Sequence, residues 1–282
     1  MRILITGYKG FIGQNMVKAL ADHDLSLYEW GDPDYDLAEL DQVIHLGAIS
    51  DTRCDNWSAL RQQNVDFTTN LMRRCQTHRV PLQISSSASV YGLHNTTFRE
   101  SDPAAPANMY ARSKVMVEAY FKQMKPVSPV QLFRYFNVYG PHEDHKGDQA
   151  SPFHKFRQQA EQGEIRIFEG SDEFRRDFVP VQTVIDIHKA FFDITESGIW
   201  NVGTGIARSF LSVAQEVGGP IVAVPMPYEL KSSYQCYTQA DLEKIHKTLN
   251  HKVLNDRSVH SPSRYTGRCE ASESCREHCE RS

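Results

Sequence analysis

A phenol and an ammonium four residues apart, in Tyr110-Ala111-Arg112-Ser113-Lys114, are the pair in this chain best suited to moving a proton. On a helix, positions i and i+4 share one face, so the two groups meet. A phenol with a pKa of about 10 is a poor base at neutral pH, and adjacent positive charge brings that value toward the working range. Far upstream, Gly7-Tyr8-Lys9-Gly10-Phe11-Ile12-Gly13 has the spacing G-x-x-G-x-x-G. Gly7 permits a tight turn, Gly10 lets the backbone approach a pyrophosphate, and Gly13 lets a helix pack close to a sheet. The first helical turn after it, with Phe11 and Ile12, offers free N–H groups and a positive dipole end to phosphates. Between loop and pair lies a serine cluster, Ser85-Ser86-Ser87-Ala88-Ser89-Val90-Tyr91-Gly92. Glu29 ends the second apolar run, where a carboxylate accepts hydrogen bonds from the adenosine ribose and repels a 2′-phosphate. No Lys or Arg between Trp30 and Leu40 offsets it. The pattern predicts a dinucleotide site that favours NAD over NADP.

The elements that must position these residues follow from the apolar pattern. Arg2–Thr6 reads as a buried strand and Phe11–Asp22 as a helix; Leu25–Glu29 and Gln42–Leu46 read as strands. A helix from Ser58 to about His78, a strand Leu82–Ser85, a helix over about Asn108–Met124 and a strand Val130–Phe136 continue the alternation. That rhythm predicts an α/β fold, a Rossmann-like doubly wound parallel sheet with ligands at the strands' carboxyl edge. Only eleven residues separate Glu29 from Asp41, too few for a full crossover, so the sheet is expected to be abbreviated after its second strand. Beyond Gly140 come a polar, turn-rich segment Pro141–Asp148, a helix to about Gln162, a strand Ile165–Phe168, a helical pattern Val181–Thr195 and a strand Ile199–Val202. Residues 1–140 and 177–203 are expected to form the dinucleotide-binding part. Residues 141–176 and 204–254 form a smaller substrate-binding lobe, and 255–282 a polar, disordered tail.

Composition sets the outer bounds. The 282 residues are 40% apolar and 23% charged, which suits a globular chain. With 31 basic against 35 acidic side chains the net charge is −4, and nothing advertises nucleic acid or an anionic membrane as partner. The apolar runs fall far short of the roughly 20 residues of a membrane span, and the amino terminus carries no secretory signal pattern. Six widely spaced cysteines do not make a disulfide framework, so a reduced cytoplasmic setting is expected. Cys269, Cys275, His278 and Cys279 in the tail fit no standard zinc spacing, and no metal site is expected.

The glycine loop, the serine cluster and the Tyr-x-x-x-Lys pair, in that order, resemble the extended short-chain dehydrogenase/reductase family of epimerases and dehydratases. The resemblance implies Tyr110 as acid/base, Lys114 as the residue that holds the nicotinamide ribose and tunes Tyr110, and Ser87 as a hydrogen-bond partner of the reacting oxygen. It also implies cofactor contacts at Leu46-Gly47-Ala48, Asn64 and Val138. Family dehydratases carry Thr-Asp-Glu at the serine position; Ser87-Ala88-Ser89 offers no acid there, which argues against elimination of water. A narrower set resembles the ADP-glyceromanno-heptose 6-epimerase branch: Arg134-Tyr135-Phe136-Asn137-Val138-Tyr139-Gly140-Pro141, His145-Lys146-Gly147, Phe168-Glu169-Gly170-Ser171, Arg175-Arg176-Asp177-Phe178, Asn201-Val202-Gly203-Thr204-Gly205 and Tyr234 through Leu242.

That branch implies inversion at C6 of a nucleotide-activated heptose by transient oxidation and re-reduction, with Lys146 as a second acid/base. Substrate contacts are implied at Asn137, His154, Phe168, Glu169, Gly170, Ser171, Arg176 and Tyr234, with Arg176 the natural diphosphate partner because its fork makes bidentate hydrogen bonds. Asp148 stands where the branch has a substrate-contacting serine, so the preferred sugar is open. The branch suggests NADP, which Glu29 and the short crossover oppose. It also suggests a homo-oligomer, and a surface glycan such as lipopolysaccharide as the pathway's end. Two alternatives remain: an epimerase or reductase of another nucleotide sugar, and a degenerate, non-catalytic dinucleotide-binding protein.

Overall fold

The computed structural model describes residues 1–228 and 234–255 of the chain. The tail cysteines and His278 lie outside the described residues. In chain order the elements are β1 (Arg2–Thr6), α1 (Phe11–Ala19), β2 (Asp24–Tyr28), β3 (Gln42–His45), α2 (Trp57–Leu60), a π-helical stretch Arg61–Asp66, α3 (Phe67–His78), β4 (Leu82–Ser87) and β5 (Thr96–Phe98). There follow α4 (Met109–Gln123), β6 (Val130–Tyr135), β7 (Asn137–Tyr139), α5 (Pro152–Glu161), β8 (Ile165–Phe168), β9 (Arg175–Pro180) and α6 (Val181–Ala190). The chain continues with β10 (Gly198–Val202), β11 (Ala207–Ser209), α7 (Phe210–Val217), β12 (Ile221–Val224), β13 (Thr238–Ala240) and α8 (Glu243–Asn255).

Six parallel strands form one sheet in the order β10-β6-β4-β3-β1-β2, the doubly wound architecture expected from the sequence. One face is covered by α1 and α6 through Phe11, Met16, Leu20, Val181 and Ile185. The other is covered by α3 and α4 through Leu71, Met72, Cys75 and Val117. β1 lies between β2 and β3, so the chain leaves β1 in one direction and later crosses back. The carboxyl ends of β1 and β3 therefore diverge into a crevice, where open α/β sheets bind ligands.

The return from β2 to β3 contains no helix or strand, as its length required. Aromatic side chains occupy the space. Tyr28 and Phe67 stack at 5.6 Å, Tyr35 meets Tyr28 edge-on at 4.7 Å, and Leu37 is fully buried beneath them. Arg74 lies 4.5 Å from the Tyr35 ring and bridges to Asp34 at 2.8 Å, which ties the segment to α3.

Two expected elements differ in detail. The helix expected from Ser58 to His78 widens to π geometry over Arg61–Asp66, which places the consecutive Asn64 and Val65 both inside. Asn64 is then held by Ile49 and Ser113 on either side of it. The strand expected over Val130–Phe136 forms as β6 and ends one residue early at Tyr135; beyond Phe136 the chain starts a further strand, β7, which pairs with β9 instead. That switch carries the chain from the large sheet into a second apolar cluster, where Phe153, Phe156, Ile165, Ile167 and Val213 pack between α5, α7 and β8. α8 packs against the large sheet, with Ile245 buried and Thr248 accepting from the Trp200 indole at 3.1 Å.

A buried ion pair fixes α4 on the sheet. Arg134 of β6 donates to both Glu118 oxygens, at 2.9 and 2.5 Å, and Ser86 of β4 donates to the same carboxylate at 2.7 Å. Removing one member leaves a buried charge unpaired, so Arg134→Met is expected to lose about 3–5 kcal/mol of stability in urea unfolding. The double change Arg134→Met with Glu118→Leu is expected to recover most of that loss, because both charges then leave together.

Two buried imidazoles give the fold a pH signature. His45 sits between the Thr6 and Thr68 hydroxyls at 2.5 and 2.8 Å; His188 sits between Tyr135 and Gln83 at 2.5 and 2.7 Å. Burial pushes both down to about 3 from 6.5. The unfolded chain takes up these protons near 6.5 and the folded chain refuses them until about 3. Stability therefore falls on acidification through that window, by up to about 1.4 kcal/mol per pH unit for each histidine. Urea titrations across the window should show the slope, and His188→Gln should make it shallower.

Candidate active site

At the carboxyl edge of the sheet lies a cleft of about 360 Å³. Its floor is the glycine loop and the start of α1; its walls are β4, α4 and the loops after β3 and β7. Gly7, Gly10, Phe11, Ile12 and Gly13 line it, as do Leu46, Ala48 and Val138. Ser87, Tyr110, Lys114, Asn137 and Lys146 line it as well, with the Lys146 ammonium near the Phe11 ring.

The glycine loop has the geometry of a phosphate cradle. Gly7 takes φ +73°, and a Cβ there would lie 2.4 Å from the Gly47 nitrogen. A Cβ on Gly13 would lie 2.1 Å from the Gly7 carbonyl oxygen, so the first helical turn packs directly on the loop. Gly10 is different: its missing Cβ would meet only the Gly7 oxygen, at 3.3 Å, and its other side is open. Gly10 caps α1 with no side-chain hydrogen bond, which leaves the amides of the first turn for a ligand. Glu29, just past β2, accepts from the Lys9 amide at 3.0 Å and so reaches the same loop. An open backbone cradle, an uncapped helix start and the Glu29 carboxylate beside the loop fit an NAD(P)-type dinucleotide. Asn64 lies behind the wall, its amide engaged with Ile49 at 2.8 and 2.9 Å and with Ser113 at 3.0 Å.

Asn108 sets the helix that carries Tyr110 and Lys114 in place. Its side chain accepts from the Ala111 amide at 2.8 Å, so α4 starts at Met109 and Tyr110 falls in the first turn beside the strand ends. The Ser87 hydroxyl stands close enough to the Tyr110 phenol to stabilise its charged form, which brings these two predicted residues together. Lys114 donates to the Ser85 carbonyl at 2.9 Å, with its ammonium 5.9 Å from the Tyr110 ring. Sequence reasoning expected the ammonium, together with a positively charged nicotinamide, to bring the phenol down. In the chain by itself burial dominates and pushes Tyr110 up, with Ser87 pulling it back. Lys114, buried as well, is pushed down to about 8 while the Glu118 carboxylate one turn away opposes the shift. The physical reason is desolvation: both groups left water, and each is driven toward its neutral form.

Lys146 reaches the cleft from the loop after β7. Its ammonium lies 4.9 Å from the Phe11 ring and 3.5 Å from a Glu143 oxygen; burial lowers it and Glu143 raises it. Sequence reasoning missed Glu143, because a carboxylate in a polar, turn-rich segment gives no sign of burial. It also missed Tyr135, which lines the cleft while its hydroxyl bonds His188.

The remaining predicted residues do not line this cleft. Asp148 is exposed and pairs with Arg53 at 3.2 Å, across from the loop that follows β3. His154 lies near the start of α5, 3.9 Å from the Asp144 carboxylate. Phe168, Glu169, Gly170, Ser171, Arg176 and Tyr234 gather in a second group around aromatic rings. Tyr234 meets Phe168 at 6.1 Å and Phe174 at 4.8 Å, and the Arg176 guanidinium lies 5.6 Å from both Tyr234 and Phe210. That guanidinium is nearly buried and donates to the carbonyls of Arg175 and Gln235. Among the described residues no group of His, Cys, Asp and Glu is arranged to hold a metal, and no helix is long and apolar enough to cross a membrane.

The phenol's place in this constellation makes a direct prediction. Tyr110→Phe keeps the ring but removes the proton, so turnover should fall by about 10²–10⁴-fold. Dinucleotide affinity, measured by calorimetry, should remain within a few-fold, since the cradle does not involve the hydroxyl.

Known structures share this architecture. The Helicobacter pylori ADP-L-glycero-D-manno-heptose-6-epimerase superposes with a TM-score of 0.76 at 23% identity, over 88% of this chain and 90% of that one. A UDP-N-acetylglucosamine 4-epimerase from Methanobrevibacter ruminantium, in complex with UDP-N-acetylmuramic acid, gives 0.78 at 22%, over 88% and 91%. The Thermus thermophilus UDP-glucose 4-epimerase complex with NAD gives 0.73 at 22%, over 89% and 93%. These likenesses are to the fold. The model of the NAD dependent epimerase/dehydratase family matches residues 3–203, from β1 through β10. With the cradle, the Ser87–Tyr110–Lys114 group and that match in one cleft, the chain belongs to the NAD-dependent epimerase/dehydratase family of enzymes.

Proposed function

We propose that this enzyme is an epimerase that inverts C6 of ADP-D-glycero-D-manno-heptose, giving the L-glycero epimer. The observation that carries the reading is the presence of two desolvated proton-handling groups in one cleft on separate elements: Tyr110 from α4 and Lys146 from the loop after β7. A dehydrogenase needs one such group; two on separate elements let the proton be taken on one side of the carbonyl and returned on the other. When bound, the dinucleotide supplies a hydride acceptor and donor together with the positive charge of the oxidised nicotinamide. In this reading Tyr110 takes the hydroxyl proton as a phenolate, a form that the positive charges of the bound nicotinamide and of Lys114 would favour against burial, and Ser87 steadies the oxygen as its charge develops. Lys114, fixed on the Ser85 carbonyl, keeps positive charge close to the phenol. Lys146 returns a proton when the substrate presents its oxygen from the other side. Pyrophosphate is held at Gly10 and the start of α1, with Phe11, Ile12, Leu46, Ala48 and Val138 along the cofactor's length.

The choice of sugar is supported by the His145-Lys146-Gly147 and Phe168–Ser171 segments. In this reading Asn137, exposed at the cleft, meets the sugar, and the group around Arg176 and Tyr234 meets the nucleotide end. Residues 1–140 and 177–203 serve the cofactor, while 141–176 and 204–254 serve the substrate; the separate apolar cluster of α5, α7 and β8 supports that division. Glu29 supports NAD over NADP, because a 2′-phosphate beside it meets a carboxylate. Asp148, in place of a serine, favours a second reading in which another nucleotide sugar is epimerised.

Incubation with ADP-D-glycero-β-D-manno-heptose and either NAD or NADP, followed by chromatographic separation of the C6 epimers, tests both points. The expected result is interconversion without net reduction of cofactor, faster with NAD. Retained dinucleotide with no conversion would overturn the heptose assignment and turn attention to Asp148→Ser.

A further inference from the structure

The loop that presents Lys146 is organised around a carboxylate buried as deeply as the core. Glu143 is 1% exposed. One of its oxygens accepts from the Gly140 amide at 3.0 Å and the Ser151 hydroxyl at 2.7 Å. The other accepts from the Ser151 amide at 2.7 Å and lies 3.5 Å from the Lys146 ammonium. Four donors from three places, the end of β7, the loop itself and the cap of α5, converge on this one side chain. A surface turn has no need of it, since water would satisfy the same amides. Burying an ionised carboxylate is costly and persists only when its lone pairs are fully engaged, as they are here.

We propose that Glu143 is a positioning residue for Lys146: it anchors the ammonium to the junction of the loop and α5, and it supplies the counter-charge that holds Lys146 at the cleft wall. The inference rests on the proposed role of Lys146 as second proton-handling group. Ser151 links the anchor to the helix, because its hydroxyl also receives the His154 amide at 3.3 Å. Loop position and helix register are therefore set by one carboxylate. Several groups bear on the charge of Lys146. From its own loop come Glu143, which favours the ammonium, and His145 beside it in the cleft wall. From α5 comes Lys155, which opposes the ammonium while donating to the Asp148 carbonyl at 2.7 Å. α1 presents the Phe11 ring, and Tyr110 and Lys114 of α4 line the same cleft.

The test reads Lys146 directly and needs no sugar substrate. Wild type, Glu143→Gln and Glu143→Asp are trace-labelled with acetic anhydride across a pH series, and the Lys146 peptide is quantified by mass spectrometry with Lys155 as internal reference. Loss of the negative charge in Glu143→Gln should lower the Lys146 midpoint by about one pH unit, a roughly tenfold rise in reactive amine below it. Glu143→Asp keeps the charge but withdraws it by one methylene, and should give a smaller drop in the same direction. On whichever nucleotide sugar the enzyme turns over, the limb of the kcat–pH profile that reports Lys146 should move by the same amount, with KM little changed. An unchanged midpoint in Glu143→Gln, with the dinucleotide still bound, would show that Glu143 only shapes the loop and overturn the proposal. Should Glu143→Gln fail to fold, Glu143→Asp decides: a lowered midpoint supports the role and a wild-type midpoint overturns it. Because labelling is independent of turnover, failure here is distinct from failure of the heptose assignment.

Discussion

The catalytic arrangement depends on the fork between Arg134 and Glu118. Tyr110, Lys114 and Glu118 recur every fourth residue along α4 and so lie on one face. Arg134 and Ser86 hold the last of the three to β6 and β4 together. Once Glu118 is fixed, the rotation of α4 about its own axis is fixed too. Lys114 then reaches the Ser85 carbonyl and Tyr110 reaches Ser87 with no further adjustment. An apolar contact at position 118 could bury similar area, but it would accept a range of rotations. The charged, bidentate pair accepts one.

Desolvation is the second common cause in the cleft. It pushes the Tyr110 phenol up and both lysines down, and so moves acid and base groups toward their neutral forms. Each lysine is restrained by one carboxylate, Glu118 for Lys114 and Glu143 for Lys146. The two carboxylates differ in their own support: Glu118 is neutralised by a guanidinium, whereas Glu143 relies on backbone amides and a hydroxyl. The cleft is thus built twice over on the same plan, an amine at the wall and a buried carboxylate behind it.

The abbreviated crossover shows what the fold can omit. A helix after β2 would normally cover that corner of the sheet. Here Tyr28, Tyr35, Leu37 and Phe67 cover it with side chains alone, and Arg74 with Asp34 closes the outside. The strand order past β1 is unaffected, so the crevice and the glycine cradle keep their places. The loss falls on the far end of the cofactor site, where Glu29 now borders a short coil.

Local pattern alone determined much of this protein. Strand and helix alternation, the glycine spacing and the Tyr-x-x-x-Lys pair are each written over a few adjacent residues, and they led to the doubly wound sheet, the glycine cradle and the Tyr110–Lys114 face; Ser87 came from the family resemblance. The short crossover was legible as arithmetic. Other features depend on residues far apart in the chain, and only the tertiary structure decided them. No run of sequence shows that Glu143 is buried, that Asp148 pairs with Arg53, that Asn64 is held between Ile49 and Ser113, or that burial raises Tyr110. Periodicity reports which face of an element is apolar. Burial and electrostatics report what that face is packed against, and this is settled only when distant elements close on one another.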